Sequence, residues 1–190
     1  MLYWKYSSKA LQVFALFSLV AVIFEIYGSV TAHLGLPNLN VLHIYTVIEY
    51  SFLAYFLSII VEKKRVKDII LISIPIYVVM ALFYSIFVTQ FKDFNGAGRV
   101  AECILLSGFA LYWFYSLLES DEHTSLKRYP EFWLNSGITL YFMGNVFMFM
   151  LYSLMNTDFI EYWTVVHSLL NIMANLLYFI GFICNPRPRK

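Results

Sequence analysis

Two apolar stretches of this sequence carry side chains that could do chemistry inside a membrane. One contains His43 and Glu49, and the other contains His167 and Asn171. Imidazole and carboxylate groups can exchange protons, ligate a transition metal or bind a polar ligand. Because an ionisable group inside a bilayer is costly, it usually marks a functional site. We therefore expect the function to reside on these two stretches.

The polar residues of each stretch share one helix face. At about 100° per residue, the first group occupies an arc of roughly 120°, and it comprises His43, Thr46, Glu49 and Tyr50. The second group follows steps of three and four residues, and it comprises Thr164, His167, Asn171, Asn175 and Tyr178. Such spacing predicts that both groups face the interior of a helix bundle while apolar side chains face lipid.

The helices that must position these groups are predicted from length and composition. Hydrophobic residues make up 61% of the 190 residues and charged residues only 13%, far below the roughly 25% charged of soluble proteins. A membrane-spanning helix needs about 20 apolar residues, and such segments occur at 10–30, 41–61, 69–88, 100–118, 132–155 and 162–184. The sequence therefore predicts an all-α, polytopic membrane bundle of six transmembrane helices, with residues 1–190 forming a single domain.

The basic residues predict the orientation of this bundle. With six spans, eleven of the 13 Lys and Arg residues lie on the side of both termini, and only Lys92 and Arg99 lie on the other. Basic residues favour the cytoplasmic side, so we expect cytoplasmic N and C termini. The net charge of +1 gives no reason to expect nucleic acid as a partner.

In this orientation most intramembrane polar groups fall in one outer half-layer, and the inner half is apolar. That distribution favours an outward-facing pocket with a closed floor over a through-channel. The predicted ligand-binding residues are His43, Glu49, Glu102, His167, Asn145, Asn171, Arg99 and Glu25.

Some of the predicted ligand-binding residues, and other polar or small residues of the spans, have purely structural interpretations. Arg99 and Glu102, three apart at a helix start, could form a local ion pair. Asparagines and hydroxyls could bond between helices, and small residues could let helices approach closely. The residues concerned are Asn171, Asn175, Ser136 and Thr139 for bonding, and Gly137, Gly144 and Gly181 for close packing.

Enzyme and transporter interpretations have less support. Two histidines and three carboxylates have the ligand types for zinc or another transition metal, but no spacing is diagnostic and we expect no particular cofactor. A lipid-directed hydrolase, possibly metal-assisted, is an alternative. No nucleophile motif is present, so catalytic residues are not assigned. A small permease or substrate-binding membrane subunit is a further alternative, which the missing internal repeat disfavours.

Four segments carry a family resemblance that covers most of the chain: FEIYGSVTAHLGLPNLNVLHIYTVIEY, RVAECILLSGFALYWFY, PEFWLNSGITLYFMGNVFMF and HSLLNIMANLLYFIGF. Together they resemble an uncharacterised family of small multi-pass inner-membrane proteins common in Bacteroidota. Its motif positions correspond to Glu25, His43, Tyr45, Thr46, Glu49, Arg99, Glu102, Trp133, Asn135, Gly144, Asn145, His167 and Asn171. The resemblance implies a bacterial inner-membrane location and, because members of this family are often encoded beside sensor histidine kinases, a sensory role. It implies no catalytic residue.

The resulting hypothesis is an integral membrane sensor or receptor-like module. It would bind a small polar ligand, an ion or a lipid head group in the outward pocket, and it would meet the lipid bilayer and a signalling partner such as a histidine kinase.

Overall fold

The computed structural model describes residues 8–119, 126–151 and 157–184. Of these described residues 89% are helical, and none forms a strand. The long helices are α1 (Lys9–His33), α2 (Leu39–Ile60), α3 (Lys64–Phe83), α4 (Gly96–Glu119), α5 (Pro130–Leu151) and α6 (Thr157–Ile183). A π-helical turn, Tyr84–Val88, follows α3, and a short 3-10 helix, Leu126–Arg128, precedes α5.

All six predicted spans overlap helices that are long and apolar enough to cross a membrane, and residues 152–155 of the fifth span lie outside the described residues. Their lengths suit a hydrocarbon core of about 30 Å. The prediction of an all-helical, multi-pass membrane protein is therefore confirmed at the level of helix number and composition.

The chain divides into two compact units, Met1–Gly98 and Arg99–Lys190. In the first unit, α2 packs against both α1 and α3. In the most apolar 18-residue stretch of α2, half of the residues are buried, compared with 11% in α1 and 22% in the segment Lys64–Val88. Phe14 of α1 meets Phe56 of α2 edge to face at 5.1 Å, and Tyr50 stacks on Tyr77 of α3 at 3.9 Å. The helix with the polar face is thus the central helix of its unit.

The end of α3 departs from regular helix geometry. In the π-helical turn, the Thr89 amide donates to the Tyr84 carbonyl and the Phe91 amide donates to the Ser85 carbonyl. Gln90 and Phe91 then adopt left-handed backbone angles, with φ of 49° and 58°. π turns commonly occur at functional sites, and nothing in the apolar periodicity of span 69–88 predicts this one.

In the second unit, α5 and α6 pack closely through glycines. A Cβ atom on Gly137 would lie 3.1 Å from the Ala174 carbonyl oxygen, and one on Gly144 would lie 2.7 Å from Leu170 Cδ1. Gly181 of α6 fits against Leu134 of α5 in the same way. The interpretation of these three glycines as close-packing points is confirmed.

The prediction that Ser136 and Thr139 bond across helices is wrong. Their hydroxyls donate to the Phe132 and Asn135 carbonyls one turn earlier in α5. A hydroxyl beside its own backbone can satisfy itself locally without a partner helix. The bond between α4 and α5 comes instead from Asn135, whose Nδ2 donates to the Ala110 carbonyl at 3.0 Å.

Candidate functional site

The polar face of α2 is buried, as its spacing predicts. His43, Thr46, Glu49 and Tyr50 are all buried, and Ile44 between them is 49% exposed. Because α2 lies against helices on two sides, its polar arc faces protein, whereas Ile44 faces away from protein and Val47 and Ile48 are half-buried.

His43 connects α2 to the irregular segment that follows α3. Its Nδ1 lies 2.8 Å from Ser85 Oγ, and its Nε2 lies 3.0 Å from the Asp93 carbonyl oxygen. The ring also meets Phe91 edge to face at 5.3 Å. A single buried imidazole thus holds both the π-helical turn and the connection that leads to α4.

The hydrogen-bond partners of His43 restrict which of its ring nitrogens carry a hydrogen. A carbonyl oxygen only accepts, so Nε2 carries a hydrogen. The Ser85 hydroxyl lies 2.7 Å from the Ala81 carbonyl, so it can donate to that carbonyl while accepting from Nδ1–H, or donate to a bare Nδ1. The same heavy-atom arrangement therefore satisfies both the neutral and the charged imidazole.

The two carboxylates of the first unit have different surroundings. Glu49 is 5% exposed, and its Oε1 accepts from the Tyr45 hydroxyl at 3.1 Å. Glu25 lies on an exposed face of α1. Burial with a phenolic donor makes Glu49 the stronger candidate for a polar site within this unit.

In the second unit, Arg99 and Glu102 form an ion pair, with Nη1 2.8 Å from Oε2. Their side chains are 6% and 0% exposed, respectively. The Arg99 Cζ atom also lies 5.5 Å from the centre of the Phe149 ring of α5. The local ion pair is confirmed, and its burial also makes it unlike an ordinary surface pair, which contributes little to stability.

Asn145 and His167 connect α5 to α6 and define the state of the imidazole. Asn145 Nδ2 donates to the Tyr141 carbonyl at 2.7 Å, so its Oδ1 is the atom that faces His167 Nδ1 at 2.8 Å. An amide oxygen only accepts, so Nδ1 carries the hydrogen. In the neutral ring, Nε2 therefore holds a lone pair, and no described residue hydrogen-bonds to it.

Aromatic rings fix the plane of His167. Trp163 stacks on it at 5.2 Å with an interplanar angle of 4°, and Phe149 lies at 5.9 Å and Tyr141 at 5.7 Å. Phe149 thus contacts both Arg99 and His167. Neither Phe149 nor Tyr141 was predicted as a site residue, because apolar and aromatic residues are too common in a membrane span to stand out.

Only part of the rest of the α6 polar stripe faces another helix, and that part includes Tyr178, which lies against Gly137 of α5. Asn175 is exposed, and its Nδ2 donates to Asn171 Oδ1 at 2.6 Å and to the Asn171 carbonyl at 2.9 Å. Thr164 is exposed as well, and Asn171 is half-buried. The prediction that Asn175 bonds to another helix is wrong, because the i and i+4 positions of one helix already bring two amides together.

The geometry within each unit can also be compared with the needs of a metal. Among the described residues, no group of three His, Cys, Asp or Glu side chains is arranged to hold a metal ion. Within the described residues, neither Cys103 nor Cys184 forms a disulfide. The two units therefore present polar hydrogen-bonding clusters, one around His43 and one around His167.

Comparison with known proteins adds no functional assignment to this geometry. The chain matches no protein-family model, no curated protein and no solved structure with which it was compared. What these clusters can do must therefore be argued from their own atoms.

Proposed function

We propose that this chain is a receptor-like membrane module that binds a small polar ligand, an ion or a lipid head group from the outer side of a bacterial inner membrane. Six apolar helices support the membrane location. The sorting of eleven basic residues to one side supports cytoplasmic termini. In this orientation the start of α4, the end of α5 and the start of α6 face outward.

The observation that carries the proposal is the open Nε2 of His167. Asn145 holds the opposite nitrogen and Trp163 holds the ring plane. Orientation of an imidazole by a second residue and by packing is typical of a site that must present one nitrogen to a ligand.

Arg99 and Glu102 complete the ligand-binding set of the second unit. They supply a buried ion pair, and its Arg99 guanidinium lies against Phe149. A pocket with few, well-placed polar groups among aromatic side chains is the usual form of a small-molecule site. His43, Glu49, Glu25 and Asn171 stay predicted site residues.

A signalling role follows from the same orientation. The basic residues of the connections 61–68 and 120–129 and of both termini would face the cytoplasm. Such segments suit contact with anionic lipid or with a cytoplasmic signalling partner. The family resemblance supports a histidine kinase as the kind of partner.

Cysteine labelling tests the outward-facing site. In a Cys103→Ala, Cys184→Ala background, we expect His167→Cys to react with a charged, membrane-impermeant thiosulfonate in right-side-out vesicles. Thr164→Cys, at an exposed position one turn earlier in α6, provides a second labelling position. Ile172→Cys is the matched control, because Ile172 is 58% exposed on an apolar face and should contact lipid.

Two results would contradict the proposal. One is labelling of His167→Cys and Thr164→Cys only in inside-out vesicles, which reverses the orientation. The other is failure of both positions to react from either side although the variants elute as folded protein, which removes the water-accessible site.

A lipid-directed hydrolase is a second candidate, favoured by the same nitrogen. A neutral imidazole with a bare, oriented Nε2 has the form that a general base requires. Head-group release from phospholipid vesicles, present with the native chain and absent with His167→Ala, would move the conclusion from receptor to enzyme.

A further inference from the structure

We infer that the site around His167 recognises a protonated oxyanion of the phosphate monoester class. In this arrangement the P–OH group donates to His167 Nε2, and the anionic oxygens accept from the Arg99 guanidinium. The inference rests on the proposed function and names the chemical class of its ligand.

His167 Nε2 is a hydrogen-bond acceptor. The Tyr141 carbonyl takes the Asn145 amide hydrogen at 2.7 Å, which leaves Oδ1 to accept from His167 Nδ1–H at 2.8 Å. Reversing the Asn145 amide would place two acceptors, Oδ1 and the carbonyl, against each other. The neutral His167 ring is therefore held in the tautomer whose Nε2 accepts a hydrogen bond, and a ligand there must bring a hydrogen.

Arg99 and Glu102 determine the charge that a ligand can carry. The Arg99 guanidinium is 6% exposed and pairs with the fully buried Glu102 carboxylate at 2.8 Å. A guanidinium suits phosphate and carboxylate oxygens because of its planar fork of N–H donors. The neighbouring Glu102 carboxylate repels a second negative charge, so a protonated anion of lower charge is preferred over a fully ionised one.

Arg99 and His167 lie against the same aromatic ring. Arg99 Cζ lies 5.5 Å and the His167 ring centre 5.9 Å from the centre of the same Phe149 ring. A cation and a hydrogen-bond acceptor thus lie against one aromatic side chain. Phosphate monoesters and hydrogen phosphate combine the two complementary features, anionic oxygens and an O–H group, in one small tetrahedral group.

Phosphate and sulfate provide the decisive pair of probes. They are close in size and shape, but near neutral pH inorganic phosphate retains a P–OH group and sulfate has none. A site that must receive a hydrogen rejects the probe that lacks one. For one such bond we expect phosphate to bind about tenfold more tightly than sulfate.

The measurement uses the full chain in nanodiscs of phosphatidylcholine, whose phosphate is a diester without an O–H group. The readout is the ¹⁵N resonance of His167 Nε2 during titration with sodium phosphate or sodium sulfate. Asn145→Ala should bring the two affinities together, because the ring can then also place its hydrogen on Nε2. Asn175→Ala is the matched control, since Asn175 is exposed and bonds only within α6.

Two further arms distinguish a soluble ligand from a lipid. Glycerol phosphate added in solution tests a free monoester, and nanodiscs containing phosphatidic acid test a monoester head group. A shift of the Nε2 resonance in either arm supports the inference and identifies the source.

Equal affinity for phosphate and sulfate overturns the inference, as does an unchanged Nε2 resonance in all arms. The same two results leave the labelling experiment at His167 and Thr164 unaffected. Failure of the ligand class is therefore distinguishable from failure of the outward-facing site.

Discussion

The hydrogen bond between Asn145 and His167 predicts an energetic coupling between α5 and α6. Removing Asn145 alone would leave His167 Nδ1–H without its acceptor, and removing His167 alone would leave Asn145 Oδ1 without its donor. A double-mutant cycle of Asn145→Ala and His167→Ala isolates the shared interaction. The cycle is needed because alanine also gains up to about 0.7 kcal/mol of helix propensity over asparagine, which would mask part of a single-variant effect.

The magnitude follows from the geometry. Hydrogen bonds between membrane helices average about 0.6 kcal/mol in such cycles and reach about 1.7 kcal/mol. This bond is short, 2.8 Å, and Asn145 is fully buried, so water does not replace it when the helices are packed. We expect a coupling of about 1 to 1.7 kcal/mol, or roughly a tenfold change in the unfolding equilibrium constant.

The assay is equilibrium unfolding in mixed micelles with increasing dodecyl sulfate, followed by tryptophan fluorescence. The pair Asn145→Ala and Asn175→Ala is the control cycle, and we expect it to be additive because Asn175 bonds only to Asn171. A coupling of Asn145 with His167 no larger than the scatter of independent sites, about 0.5 kcal/mol, would refute the hydrogen-bond assignment.

Three further variants test the packing and the irregular segment with the same unfolding assay. Gly137→Ala should lose about 1 to 3 kcal/mol because its methyl group meets α6. Gly108→Ala should be neutral or gain up to about 1 kcal/mol, because among the described residues no atom apart from its chain neighbours and nearby helix backbone lies within 4 Å of the added carbon. Ser85→Ala should cost about 1 to 3 kcal/mol, since it leaves the buried Nδ1 of His43 without its partner. Asn95→Ala should cost about 1 kcal/mol, because its Oδ1 caps the first turn of α4 by accepting from the Gly98 amide at 3.1 Å.

Controls and opposing results are specific to each variant. Ser58→Ala serves for Ser85, because Ser58 is equally buried but donates only to the Tyr55 carbonyl of its own helix. Equal losses for Ser58→Ala and Ser85→Ala would argue against the His43 contact. Similar effects of Gly137→Ala and Gly108→Ala would argue against close helix packing, and an unchanged free energy of unfolding for Asn95→Ala would argue against the Asn95 cap.

The inward face of α2 was predictable from spacing alone. His43, Thr46, Glu49 and Tyr50 recur at helical intervals among apolar residues, and a polar arc in a membrane helix has nowhere stable to face except protein. The same reasoning was only partly right for α6, where His167 contacts α5 but Thr164 and Asn175 are exposed. Helical periodicity shows which residues share a face, but not how far along the helix a neighbour covers that face.

The hydrogen-bond partners were not predictable in the same way. Ser85 and the Asp93 carbonyl reach His43 across 42 and 50 residues of sequence. One of them is a serine in an ordinary apolar span and the other is a backbone atom, which carries no side-chain signal. The π-helical turn that presents them arises from local hydrogen-bond geometry, and an apolar pattern is compatible with either an α or a π turn.

Length, hydropathy and the grouping of polar residues determined by themselves that this protein is a helical, multi-pass membrane protein in which the polar face of α2 is buried. These properties depend on the transfer of side chains and backbone between water and lipid, which each segment carries in its own composition. Only the tertiary structure decided that Asn145 orients His167, that Phe149 meets both Arg99 and His167, and that His43 holds the end of α3. Hydrogen bonds and ring contacts require distances of a few ångströms between helices, and no single segment contains that information.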